Sequence, residues 1–180
     1  GTHPRHGERA PRSRRGVTAP TLYGIDVGGT KSVGVAVAAD GTVVAEHRLP
    51  TPNDADQLID ALATIAREIG AVGSLGIGVP GLVTRDGVLL AAPNVTEVRA
   101  LPLRDRMVAA TGLRVVVDND NTVACLAEWQ HGVGRGVDDL VLVGLGTGIG
   151  GGFVSGGCLQ RGANGFAGEF GHMIVERDGL

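Results

Sequence analysis

Gly24-Ile25-Asp26-Val27-Gly28-Gly29-Thr30-Lys31-Ser32-Val33-Gly34-Val35 is the stretch that decides the fold. Thr21–Asp26 is a short apolar run ending on a carboxylate, and Ser32–Ala38 is a Val-rich run with Val33, Val35 and Val37 in alternation. The glycines between them predict a strand, a tight turn and a returning strand. Successive glycines let backbone N–H groups approach an anion with no Cβ in the way. A carboxylate at the C-terminal end of a strand stands where open α/β sheets meet their ligands. Taken alone, the same residues read equally well as a β-hairpin turn with Asp26 as its cap.

A second glycine-rich segment, Gly144-Leu145-Gly146-Thr147-Gly148-Ile149-Gly150-Gly151-Gly152, follows the apolar run Leu140–Leu145. Gly146-x-Gly148-x-x-Gly151 has the spacing of a dinucleotide fingerprint, which demands a helix directly after it. Gly150–Ser155 reads as a strand instead, so a Rossmann cofactor site is not expected. The Walker A pattern is absent as well, because Lys31 follows Thr rather than Gly. What remains is a pair of phosphate-cradling hairpins, two jaws for the phosphates of a nucleotide. The chain then looks like a phosphotransferase.

The elements between the two turns alternate. Asp40-Gly41 is a hairpin signal, and Thr42–Leu49 reads as the third strand. Asp54 suits an N-cap. Leu58, Ile59, Leu62, Ile65, Ala66 and Ile69 make one helical stripe over residues 55–69, and Gly70 fits the C′ position. Ser74–Val79 is a buried strand before Pro80-Gly81, reached from the third strand by a parallel crossover. Leu82–Ala92 reads as a hairpin around Arg85-Asp86-Gly87. Leu103–Thr111 reads as a helix ended by Gly112, and Arg114–Val117 as a strand. Thr122–Gln130 reads as a helix with Val123, Leu126 and Ala127 on one face, and Met173–Val175 as a last short strand.

Few residues can carry chemistry. Asp118-Asn119-Asp120 lies where a strand hands over to a helix. A carboxylate there can accept a proton from a substrate hydroxyl, and Asn119 can orient that hydroxyl. The plain structural reading is N-capping, which Asp, Asn and Thr all perform. Glu169 and His172 lie three apart in a Gly-rich stretch, where both can hydrogen-bond sugar hydroxyls. His172 can also ligate a metal through one ring nitrogen. The plain reading is a solvated Glu and a structural His. The charged run Arg99–Arg106 reads as a solvated helix face.

Composition sets the bounds. Glycine makes up 31 of 180 residues, against a usual share of about 7%. No collagen-like period accompanies it, so the glycines mark turns and ligand loops. Net charge is −3, and residues 1–16 hold five Arg against Glu8, leaving the remainder near −7. That balance disfavours nucleic acid as a partner. Residues 1–20 read as a disordered basic tail with no apolar run for a secretory signal. No apolar stretch reaches the roughly 20 residues needed to span a bilayer. Cys125 and Cys158 form no Cys-x-x-Cys, and a reducing cytoplasm is the expected compartment.

Six motifs in order resemble the ROK family of bacterial-type sugar kinases and repressors. They are Asp26-Val27-Gly28-Gly29-Thr30-Lys31, Gly76-Ile77-Gly78-Val79-Pro80-Gly81, Ala92-Pro93-Asn94, Asp118-Asn119-Asp120, Gly146–Gly152 and Ala167-Gly168-Glu169-Phe170-Gly171-His172, spread over residues 21–175. The resemblance implies an α/β fold of the actin-like ATPase type, built of ribonuclease H-like lobes. The first lobe would be complete at residues 21–123, and residues 124–180 would only begin the second. ATP phosphates would contact Asp26, Gly28, Gly29, Thr30 and Lys31 from one side and Gly146, Thr147 and Gly148 from the other. Mg²⁺ would accompany ATP, near Asp26 through water. Asp120 would be the general base, with Gly81, Asn94, Asn119, Glu169 and His172 around the sugar. The implied reaction is phosphorylation of a hexose, glucose above others. Family members also include sugar-responsive repressors, and a non-catalytic sugar- or nucleotide-binding remnant is a third reading. Family members are often homo-oligomers.

Two departures stand out. The family usually continues Asn-Asp-Ala-Asn, whereas this chain reads Asn119-Asp120-Asn121-Thr122. Family members also hold structural zinc with the His of Gly-His and three Cys of a Cys-x-Cys-Gly-x-x-Gly-Cys loop. His172 matches that ligand, but the first Cys would fall about ten residues later, just past Leu180, and neither Cys125 nor Cys158 fits. The sequence is therefore expected to be the N-terminal portion of a longer kinase, with weak or absent catalysis by itself. The roughly 20 residues before Leu22 are too few for a repressor's helix-turn-helix module.

Overall fold

Leu22–Val27 (β1), Lys31–Val37 (β2) and Val43–Pro50 (β3) form an antiparallel meander in the computed structural model, which describes residues 21–92, 99–146 and 148–177. The basic tail, Asn94 and Thr147 lie outside the described residues. The chain leaves β3 through α1 (Ala55–Glu68). Asp54 caps α1 as its sequence suggests, accepting from the N–H groups of Asp56 at 3.0 Å and Gln57 at 2.9 Å. The helix returns the chain to β4 (Ser74–Val79), which pairs parallel to β1. Because β1, β2 and β3 alternate in direction, β3 and β4 run parallel, as the crossover requires.

Arg114–Asn119 (β8) then pairs parallel to β4, completing a sheet in the order β3-β2-β1-β4-β8. Between them lie Leu82–Val83 (β5), Leu89–Ala91 (β6) and Arg99–Leu101 (β7), a small antiparallel sheet, and α2 (Leu103–Thr111). The β5–β6 hairpin matches the sequence reading, whereas the three-residue β7 carries no periodic signal and was not expected. Gly112 ends α2 in the left-handed region at φ +69°, where glycine costs least.

The core lies between α1, α2 and the five-stranded sheet. Leu58, Leu62 and Ile65 of α1 and Leu103 and Met107 of α2 are fully buried with Ile25, Val27, Leu75, Ile77 and Val79 of the sheet. Each such side chain contributes roughly 1.5–3 kcal/mol on burial. A Cβ at Gly34 would overlap Ile65, so that glycine lets α1 sit close on β2.

Asp120–His131 (α3) starts directly at the end of β8 and separates this sheet from a second one. That sheet is an antiparallel meander of Leu140–Leu145 (β9), Ile149–Ser155 (β10) and Cys158–Gln160 (β11), in the order β11-β10-β9. The buried face of α3 is not the expected one: Thr122 and Cys125 are buried, Val123 and Ala127 are exposed, and Leu126 is half-buried. The cause lies in β10. A Cβ at Gly152 would come within 2.7 Å of the Cys125 Cβ, so a bare strand admits the small-residue face of the helix at close range. Met173–Val175 forms no strand, and its side chains are exposed. A short apolar run without a partner ladder does not make a strand.

Candidate functional site

A cleft of about 880 Å³ opens where the C-terminal ends of β1, β4 and β8 face the β9–β10 turn. Its wall includes Asp26, Gly28 and Gly29 from the β1–β2 turn, Gly81 after β4, and Asn119 and Asp120 at the start of α3. Gly146 and Gly148 contribute from the second turn, and Glu169 and His172 from the segment beyond β11. With Ala92 also in the wall, residues from six separate motifs meet at one place, although 146 positions separate the first from the last.

The first turn is held from below. Buried Ser32 shares a hydrogen bond of 2.9 Å with Thr51, whose Oγ1 donates to the Gly28 carbonyl at 2.8 Å. The Gly28 N–H is spent within the turn on the Lys31 carbonyl at 3.0 Å. Gly146 is spent likewise, donating to the Gly148 carbonyl at 2.9 Å. Thr30 and Lys31 are exposed and do not belong to the cleft wall, so the structure does not bring them together with the rest. Ser32 and Thr51 gave no signal in the sequence, because their partner in the turn is a backbone carbonyl far along the chain.

Asn119 satisfies both readings of its motif. Its Oδ1 caps α3, accepting from the N–H groups of Asn121 at 2.9 Å and Thr122 at 3.1 Å. Its Nδ2 donates to the Gly81 carbonyl at 3.1 Å, and an amide nitrogen keeps a second hydrogen for a ligand. Gly81 itself has φ +106°, and a Cβ there would overlap the Ala91 carbonyl oxygen. Only glycine fits that bend, which makes Gly81 first of all the support of Asn119.

Asp120 receives two hydrogen bonds on one oxygen. The Asn121 N–H reaches Oδ1 at 2.8 Å and the Asn121 Nδ2 reaches it at 3.0 Å. Across the cleft, partial burial and then the charge of Asp120 raise the Asp26 carboxyl above its ordinary value. Both carboxylates line the same cleft.

Glu169 and His172 flank a single 3-10 turn at Phe170–His172, with Oε2 and Nε2 3.9 Å apart. That turn is seated on β10. A Cβ at Gly151 would lie 2.5 Å from the Phe170 ring, and Phe170 also meets Phe153 with ring centroids 6.3 Å apart. Gly150, Gly151 and Gly152 therefore serve as a strand with bare faces, not as a phosphate loop. Gly146 and Gly148 lie outside the β9–β10 ladder, beyond its last pair Leu145–Ile149.

The mixed set of Asp26, Asp120 and glycine amides has the oxygen and N–H chemistry that a magnesium nucleotide needs. For zinc, no ligand set is assembled among the described residues: no three His, Cys, Asp or Glu side chains cluster there, and His172 is 85% exposed. Both Cys125 and Cys158 are free thiols, the first buried against β10.

Residues 22–180 match the ROK family, and the chain belongs to it. It is 38% identical over 161 residues to a glucokinase of Streptomyces coelicolor, covering 87% of this chain and 50% of that one. An N-acetyl-D-glucosamine kinase of Vibrio parahaemolyticus is 37% identical over 162 residues, with 87% and 53% covered. Among solved structures, a ROK family glucokinase from Streptomyces griseus in complex with glucose and AMPPNP superposes with a TM-score of 0.81 at 38% identity, covering 89% of this chain and 53% of that one. A ROK family transcriptional regulator superposes with a TM-score of 0.78 at 29% identity, with 89% and 43% covered. The chain spans about half the length of the relatives it matches. The fold is that of the actin-like ATPases, as the motifs implied. Among the described residues no helix is long and apolar enough to cross a membrane.

Proposed function

We propose that the protein carrying this chain is a sugar kinase, transferring the γ-phosphoryl group of ATP to a hexose hydroxyl, that of glucose above others. Asp120 is the general base. One carboxylate oxygen takes the hydroxyl proton as the sugar oxygen attacks the γ-phosphorus. A new O–P bond forms, the bond to the bridging β–γ oxygen breaks, and ADP leaves with the electron pair. Asn119, Glu169, His172 and, outside the described residues, Asn94 hold the sugar. The amides of Gly29 and Gly148, on the two turns that line the cleft, face the phosphates, with Asp26 as the acid available to Mg²⁺. Asp26, with Asp120 across the cleft, would hold that ion, which would supply neutralisation of the phosphate charge when bound. The protein contributes positioning and preorganised dipoles rather than covalent chemistry.

The observation that carries this reading is the convergence of Asp120, Glu169, His172 and both glycine turns on one cleft. The names of the glucokinase and N-acetylglucosamine kinase relatives support it. Residues 21–123 form the first lobe in this reading and 124–180 the start of the second. A reducing cytoplasm suits the two free thiols, and self-association is in keeping with the family. A sugar-responsive regulator is the second reading, favoured by the likeness to the transcriptional regulator. A coupled assay of the longest natural form with glucose, N-acetylglucosamine, ATP and polyphosphate tests the proposal. ATP-dependent glucose turnover is expected. DNA retardation without turnover favours the regulator, and sugar binding without either marks a binding remnant.

A further inference from the structure

Asn121 directly follows Asp120 in the first turn of α3. Its Nδ2 and its own backbone N–H both donate to Asp120 Oδ1, at 3.0 and 2.8 Å. Among the described residues no donor reaches Oδ2, so a single oxygen is left to take a proton.

The same amide sits on the root of the second turn. Gly144 and Gly150 are directly opposite each other across β9 and β10, one pair before the turn opens. A Cβ at Gly144 would overlap the Asn121 Oδ1, and one at Gly150 would lie 2.5 Å from its Nδ2. The amide therefore fills the space that these two glycines vacate. It touches the carboxylate on one side and the hairpin that carries Gly146–Gly148 on the other.

We propose that Asn121 is a positioning residue that fixes the carboxylate of Asp120 in register with the β9–β10 turn. The inference rests on the sugar-kinase reading above. A carboxylate held by one oxygen keeps its rotamer while the other oxygen works. Loss of one hydrogen bond to a charged group, with the backbone bond retained, is expected to cost about tenfold in rate.

Steady-state kinetics of the longest natural form test this with Asn121→Ala, Gly144→Ala, the double variant and Asp120→Asn. Asn121→Ala should lower kcat about tenfold while the glucose KM stays within about twofold. Gly144→Ala should lose a comparable amount by pushing the amide aside, yet add nothing once Asn121 is Ala, because the space is then open. The isosteric Asn121→Asp, which turns the donor into an acceptor, keeps the test alive should the Ala variant fold poorly. It should lose at least as much. Full turnover by Asn121→Ala beside an inert Asp120→Asn would overturn this proposal alone. Additive losses at positions 121 and 144 would overturn it too. Turnover by Asp120→Asn would instead overturn the general-base reading and this proposal with it.

Discussion

Arg161 Nε lies 2.7 Å from Asp118 Oδ2, which ties the chain beyond β11 to the end of β8. Asp118 is nearly buried, and its other oxygen accepts from the Asn119 N–H at 3.0 Å. Beside it, Arg85 donates through Nε at 2.9 Å to the Gly162 carbonyl. The segment that ends at Glu169 and His172 is thus clamped to the strand that ends at Asp120.

Arg161→Ala is expected to destabilise the protein by about 1–2 kcal/mol, because it strands a buried carboxylate while the arginine itself is partly solvated. Urea unfolding checks the stability, and glucose titration should show weaker binding as Glu169 loses its tether. Asp118→Asn should cost less, since a neutral amide is cheaper to bury than an unpaired charge.

Asp26 yields a pH prediction. Its carboxyl is raised by burial and by Asp120. A raised acid favours folding below its unfolded value of 3.8, and that advantage is lost as pH climbs through the folded value. At neutral pH the ionised group therefore opposes folding. Asp26→Asn should raise Tm at pH 7 by roughly a few degrees at most, and the gain should vanish near pH 3. The same change should weaken binding of a magnesium nucleotide. Thermal melts at the two pH values, without and with the magnesium complex of ATP, measure both.

Gly151→Ala puts a methyl group against the Leu142 carbonyl oxygen of β9 and into the Phe170 ring. Overpacking of this kind costs about 1–3 kcal/mol. Here it should appear as displacement of the turn carrying Glu169 and His172. The glucose KM should rise at least severalfold while ATP binding changes little, as paired titrations would record.

Much of the fold was legible because period and punctuation agreed. The stripe from Leu58 to Ile69 with Asp54 before it and Gly70 after it fixed α1. Asp40-Gly41 fixed the β2–β3 hairpin. What escaped was set by contacts distant in sequence. The buried face of α3 follows from the glycines of β10, which no periodicity within residues 120–131 reveals. β7 and β11 are three residues each and too short to carry a pattern. The site was readable as motifs, since Asp26, Asn119, Asp120, Glu169 and His172 do share one cleft. Their supports were not, because Thr51, Arg161 and Asn121 act through a backbone carbonyl, an ion pair and a glycine pair that only the folded chain assembles. Thr30 and Lys31 fell outside the wall for a simple reason: the turn points them to solvent.

The most direct test of the account is the rate of ATP-dependent glucose phosphorylation by Asp120→Asn, measured beside its glucose affinity by calorimetry. A general base contributes about 10²–10⁴-fold, so kcat should fall by at least that range while glucose binding stays within severalfold. Turnover within tenfold of the unaltered protein would contradict the assignment of the base.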